Sequence, residues 1–266
     1  MAHITRRQFL AAAGISTLAF ALTACGGSGN DAEKITSIDQ LYDNKTIGVQ
    51  LGTTSDSYAV EDFGADHVEQ YNKSADAVQA LKTGKIDAVI VDNEPAKRFV
   101  EANDDLMILD TPYADEDYSI CLAKDSELTD DFNKVIAELK EDGTMDAILD
   151  KHLHGVEGAA GYTTPEGTTY PNGKLIMATN ATFPPYEYYQ GDEIVGLDVE
   201  FATAICDKLG YKLEVTDMEF DAIIPAVSSG KCAFGAAGMT VKPDRLENVD
   251  FTDSYCTGVQ SIIVKK

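Results

Sequence analysis

Two stretches far apart in the chain carry the same pattern, and they constrain the fold more than anything else in it. Residues 77–92, AVQALKTGKIDAVIVD, and residues 223–238, IIPAVSSGKCAFGAAG, each run from a helical apolar repeat through a small-Gly-Lys turn into an apolar strand. Each strand then ends on a residue fit to face a ligand, Asp92 in one and Gly238 in the other. A short apolar run following a helix reads as a buried, parallel-type strand. Two such units far apart predict two similar α/β lobes rather than a short-period repeat array.

The rest of the chain extends this alternation. Strands are expected over residues 45–50, 67–71, 86–91, 106–109, 118–124, 175–179, 212–216, 234–237 and 259–264. Helices are expected from about residue 57, from Ser74 to the Thr83-Gly84-Lys85 stop, and over 95–102, 129–141, 145–153, 198–209 and 220–229. Residues 112–117 read as a turn-rich acidic connection. Residues 154–173, rich in Gly, Thr and Pro and without apolar periodicity, read as a linker.

With 266 residues there is length for two cores. Acidic residues outnumber basic ones 45 to 21, a formal charge of −24, so a phosphate backbone is an unfavourable partner and no nucleic acid is expected. Arg6 and Arg7 precede a short apolar run that ends at Leu22-Thr23-Ala24-Cys25. This is the layout of an export signal, and LTAC resembles the lipobox of bacterial lipoproteins, which implies lipidation at Cys25. TRRQFL also resembles a twin-arginine signal. Residues 1–25 are therefore read as a signal peptide and 26–35 as a tether. Cys121, Cys206, Cys232 and Cys256 permit two disulfides or four buried thiols, and none has zinc-ligand spacing. No metal or cofactor is expected.

In open α/β sheets, ligands sit beyond the carboxyl ends of the strands. Gln50 closes one expected strand and Gly52 follows it; Asp92, Asn180 and Gly238 follow three others. Gly52-Thr53-Thr54 opens a helix, whose first amides favour an anion. Arg245, five residues beyond Thr240, offers a planar fork for a carboxylate, although the charged residues around it would also suit a solvated loop. Asp92 is either the partner of an ammonium or a helix N-cap. Together these groups match a zwitterion.

GMTVKPDR followed by VDFTDSY, and TNATFPPYEYY followed by GLDVEFATAI, resemble the extracellular solute-binding proteins of family 3, which deliver polar amino acids to ABC importers. The resemblance implies the two-lobe, type II periplasmic-binding α/β fold. It implies that Arg245 and Thr240 hold the ligand's carboxylate and that the Gly238 backbone receives its ammonium; by their positions, Thr53 and Thr54 would join the first and Asp92 the second. Phe183 and Phe220 would form two walls, and Gln50 and Asn180 would face the side chain. Being neutral amides, they favour a polar, uncharged ligand side chain.

In the family, the half like residues 174–266 comes first, so this chain reads as a circular permutant whose old termini are joined by residues 154–173. One lobe would comprise residues 36–119 and 260–266, the other 120–259. The expected partners are a free amino acid, an ABC permease and the membrane through lipid on Cys25. The protein would act as an extracytoplasmic, lipid-anchored monomer and not as an enzyme. The alternatives on the same fold are an exported dehydratase, with Glu187 or Asp221 as acid, and an amino-acid sensor lobe.

Overall fold

The structure, a computed structural model, describes residues 34–266. The export-signal reading and Cys25 lie outside the described residues. Strand β1 (Ile47–Gln50) leads to helix α1 (Thr54–Phe63), β2 (Val68–Tyr71), α2 (Ser74–Thr83), β3 (Ala88–Asp92) and α3 (Asn93–Glu101). Then come β4 (Leu106–Ile108), β5 (Ala114–Tyr118), β6 (Cys121–Ala123), α4 (Leu128–Glu141) and α5 (Thr144–His152). After residues 153–173 the chain continues through β7 (Lys174–Thr179), β8 (Thr182–Phe183), β9 (Glu187–Gln190), β10 (Glu193–Val195) and α6 (Leu197–Lys208). Finally come β11 (Lys212–Asp217), α7 (Ile223–Ser228), β12 (Phe234–Gly235), α8 (Pro243–Leu246), β13 (Val249–Phe251) and β14 (Cys256–Lys265).

These elements build a mixed α/β protein with two main sheets. The first runs β2-β1-β3-β14-β4, with β5 also paired to β14. The second runs β11-β7-β12-β6-β13. All five residues of β3 are buried, as an apolar central strand covered on both faces must be. Apolar layers flank each sheet on two sides: Ile47, Ile90 and Val264 belong to one layer and Leu81, Val89 and Ile263 to the other. In the second sheet the layers are built around Phe132, Phe201 and Phe234 on one side and Ile223, Val227 and Met239 on the other. Helix α4 shows how the pattern places itself: Phe132, Val135, Ile136 and Leu139 recur at helical spacing, and all four are buried. Helix α2 stops where Gly84 turns left-handed at φ 77° and its amide reaches the carbonyls of Ala80 and Leu81.

Two short segments join the sheets. Residues 114–118 and 256–260 pair antiparallel, Cys256 opposite Tyr118 and Gly258 opposite Glu116, forming a two-stranded ribbon. The acidic stretch expected to be a turn is thus strand β5. ADEDY has no apolar alternation, yet Glu116 and Tyr118 point inward, and pairing with β14 overrides the weak local preference. For the same reason the last strand starts at Cys256, three residues earlier than its apolar run. A small antiparallel sheet, β10-β9-β8, which the periodicity did not announce, carries Phe183 and Glu187.

Residues 154–173 contain no helix or strand, but they are docked. Glu200 on α6 accepts hydrogen bonds from Lys151 at 2.7 Å and the Tyr162 amide, and bonds His152 at 2.8 Å. The Tyr162 hydroxyl donates to Asp207 at 3.0 Å. The four described cysteines are free, buried thiols, and burial pushes Cys121, Cys206 and Cys256 up to about 12. No described helix is long and apolar enough to cross a membrane.

Candidate functional site

The carboxyl ends of β1, β3 and β7, together with the turn after β12, converge on a small cavity of about 20 Å³ between the two sheets. From the first sheet it is lined by Gln50, Thr53, Thr54 and Asp92. From the second come Asn180, Phe183, Glu187, Phe220, Ala237, Gly238 and Arg245. Nine of the ten expected ligand-binding residues therefore line one space. The tenth, Thr240, stands beside it, its carbonyl accepting from Arg245 Nη1 at 2.8 Å.

Arg245 sits in the one-turn helix α8, which Pro243 opens. It is 6% exposed, although a guanidinium is costly to bury without an anion. Its second fork nitrogen, Nη2, donates to the Gly52 carbonyl at 3.1 Å, across the two sheets. Its Cζ lies 5.5 Å from the centre of the Phe220 ring. Among the described residues it forms no ion pair. Burial lowers its pKa below the usual value, against the opposing pull of the Asp244 and Glu116 charges. The solvated-loop alternative does not describe this side chain.

The opposite jaw is α1. Thr53 caps it, with its hydroxyl accepting from the Asp56 amide at 3.3 Å and donating to the Gln50 carbonyl at 2.7 Å. Of the amides expected to be open, that of Gly52 is already taken by Asp56 Oδ2 at 3.0 Å. The Thr54 amide carries no partner among the described residues, and it opens the helix. Gly52 sits at φ 76°, and a Cβ there would lie 3.1 Å from the Asp221 side chain, so the sheets touch through a position that favours glycine.

Asp92 stands at the start of α3 but makes no side-chain cap bond. Its Oδ1 instead accepts from the Tyr118 hydroxyl, and burial raises its carboxyl to about 6. The capping alternative is therefore not the one realised. Gly238, at φ 55°, gives its amide to Asp198 Oδ2 at 2.9 Å and leaves its carbonyl without a donor among the described residues. A Cβ at Gly238 would lie 2.9 Å from the Phe183 ring. Phe183 stacks on Tyr186, with ring centres 5.3 Å apart, and packs against apolar layers of both sheets. Gln50 Nε2 donates to Asn180 Oδ1 at 3.0 Å, so the two amides expected to face a side chain meet across the gap.

Three acidic or phenolic groups escaped the sequence reading of the ligand set. Glu116 on β5 is buried and accepts from the Thr240 hydroxyl. Tyr118, two residues on, holds Asp92. Asp198 lies beside Glu187, which is fully buried with both carboxyl oxygens unpartnered. Burial, then the neighbouring Asp198, raises Glu187 well above the carboxylate range, and burial lifts Asp198 itself to about 6. Only the inward position of Glu116 in a strand pair could have singled it out, and that pairing is long-range.

The two sheets thus meet at a buried cation, a buried carboxylate and two aromatic rings, within a mixed α/β architecture. Residues 175–266 match the model of the bacterial extracellular solute-binding proteins, family 3. The chain is similar to the arginine-binding extracellular protein ArtP of Bacillus subtilis, 47% identical over 93 residues, 35% of this chain and 36% of that protein. It is similar also to ABC transporter arginine-binding protein 1 of Escherichia coli, 33% identical over 35% of this chain and 39% of that one. Among solved structures, an ancestral arginine-binding protein bound to arginine is 45% identical over 29% of this chain and 34% of its own, with a TM-score of 0.29. The matches thus span between a third and two-fifths of those relatives.

Proposed function

We propose that the chain binds a free amino acid between its two lobes and presents it to an ABC permease outside the cytoplasmic membrane. The observation that carries this reading is Arg245: a buried fork with two carbonyl partners and no ion pair among the described residues, facing an open helix N-terminus across the cleft. A ligand carboxylate would replace the carbonyls as its partner, joined by Thr240, Thr53 and Thr54. Asp92 and the Gly238 carbonyl would take the ammonium. The ribbon of residues 114–118 and 256–260 would serve as hinge, so the ligand shifts the population toward the closed state by contacts found only there. Lipid on Cys25 would hold a monomer at the membrane.

The neutral Gln50 and Asn180 amides favour a polar, uncharged side chain, which would exchange with their present protein partners, Asn72 and Ser74 for Gln50 and Met218 and Thr182 for Asn180. A basic side chain is the second reading. It is favoured by Glu187, which lines the cavity with two unpartnered oxygens, and by relatives named for arginine. We also read the order of the halves as permuted, with residues 154–173 joining the ends that the family leaves free.

Thermal unfolding against each common amino acid tests this reading. A ligand at about 100 times its Kd adds about 2.7 kcal/mol, which raises the melting temperature of a chain this size by roughly 5–10 °C. One or a few amino acids are expected to do so. A cooperative melt that no amino acid shifts would contradict the proposal. A rearranged chain running 174–266 and then 36–153 is expected to melt cooperatively and respond to the same amino acid. Failure of that chain alone would overturn only the permuted order.

A further inference from the structure

Glu116 has no place in the binding scheme above, yet it occupies the middle of it. It lies on the inner face of β5, in the ribbon that joins the lobes, and is 3% exposed. One carboxyl oxygen accepts from the Thr240 hydroxyl; the other, Oε1, is buried with no hydrogen-bond partner. The groups that face it come from several elements: Asp92 at the end of β3, Arg245 on α8, the Thr54 hydroxyl on α1 and Thr240. Gly258, across the ribbon on β14, adds no side chain, and Gln260 beyond it is uncharged. The Thr240 hydroxyl and the Arg245 charge assigned to a ligand carboxylate are thus already shared by a carboxyl of the protein itself.

We propose that Glu116 is an internal competitor for the ligand carboxylate and takes up one proton when the ligand enters, so that binding is coupled to pH; this rests on the amino-acid site described above. Two carboxylates beside Asp92 would place three like charges around one guanidinium. The low-cost resolution is for Glu116 to gain a proton from bulk water and turn from acceptor to donor, with no other bond changed. Burial and the Asp92 charge already push Glu116 up to about 7, against the pull of Thr240, Thr54 and Arg245. A ligand carboxylate acts in the same direction as Asp92 and raises it further. Above pH 7 the ligand must therefore draw in a proton, and affinity falls by up to tenfold per pH unit. Asp92 works in the opposite sense: a ligand ammonium lowers its pKa from about 6, so affinity also falls as pH drops below that value. Binding is strongest between the two.

The test is calorimetric titration of the native chain and Glu116→Gln with L-arginine at pH 7 and 8.5, in two buffers of different ionisation heat. The native affinity is expected to fall roughly tenfold between the two pH values, with proton uptake read from the buffer difference. Glu116→Gln, a permanent donor, is expected to change less than threefold and to take up no proton. Equal pH slopes in the two proteins, or no buffer dependence in the native one, would overturn the proposal. If L-arginine binds neither protein and no amino acid stabilises the native fold, the site reading fails instead, and Glu116 is judged without ligand. A carboxyl whose folded pKa is raised stabilises the fold at low pH and loses that contribution as pH rises to the folded value. Glu116→Gln is then expected to melt above the native chain at pH 8.5; an equal or lower melting temperature would overturn the competing charge.

Discussion

Arg245→Ala is expected to weaken amino-acid binding by roughly 10²–10³-fold while leaving the melting temperature of the unliganded chain within a few degrees of native. The two halves of this expectation have one cause. In the unliganded fold Arg245 is a buried cation whose hydrogen bonds go to the carbonyls of Thr240 and Gly52, with no ion pair among the described residues. Its desolvation therefore offsets most of what those bonds contribute, and removing it changes stability little. A bound carboxylate reverses the balance, because the fork then holds a charge through two parallel bonds. Paired titrations and melts of native and variant protein check both halves. Unchanged affinity would remove Arg245 from the site. A fall of more than about 10 °C in the unliganded melt would make it a structural residue first.

Gly258→Ala is expected to destabilise the chain by about 3 kcal/mol and to impair binding as well. A Cβ at Gly258 would lie 2.1 Å from the Tyr118 hydroxyl and 2.4 Å from the ring carbon that bears it. Tyr118 is 1% exposed and packs edge-on against Tyr186, with ring centres 5.3 Å apart, so it has no free space to enter. Displacing it costs overpacking strain and removes the hydroxyl from Asp92, leaving a buried carboxyl without that donor. Because Gly258 and Tyr118 sit on the two strands of the ribbon, the damage falls on the proposed hinge and on the proposed ammonium site together. Chemical denaturation reads the first effect, and ligand titration of the surviving fold reads the second. A variant as stable as native would mean that the ribbon packs more loosely than this geometry.

Much of the architecture was legible because it depends on local pattern. The helix-turn-strand words at residues 77–92 and 223–238 end at Asp92 and Gly238, and those ends do meet at one cavity. Gln50, Thr54 and Asn180 were legible for the same reason, since strand ends in an α/β sheet fall on one edge. What escaped depends on pairing between distant segments. ADEDY looks like a loop until β14 lies beside it, and only then do Glu116 and Tyr118 face inward. The state of Asp92 was likewise undecidable from sequence, because a cap and a ligand-facing carboxyl share one position at a helix start; its bond to the Tyr118 hydroxyl, with no cap bond, removes the capping alternative. The Gly52 amide was read as open to an anion, but Asp56, in the first turn of α1, folds back onto it.

The most direct measurement is calorimetric titration of the full chain with the amino acid that raises its melting temperature most, set against the same amino acid with its carboxylate converted to a primary amide. The predicted result is one molecule bound per chain, with affinity lost by roughly 100-fold or more in the amide, because Arg245 and the α1 amides then face a neutral group. Equal affinity for the acid and its amide would contradict a carboxylate site at Arg245.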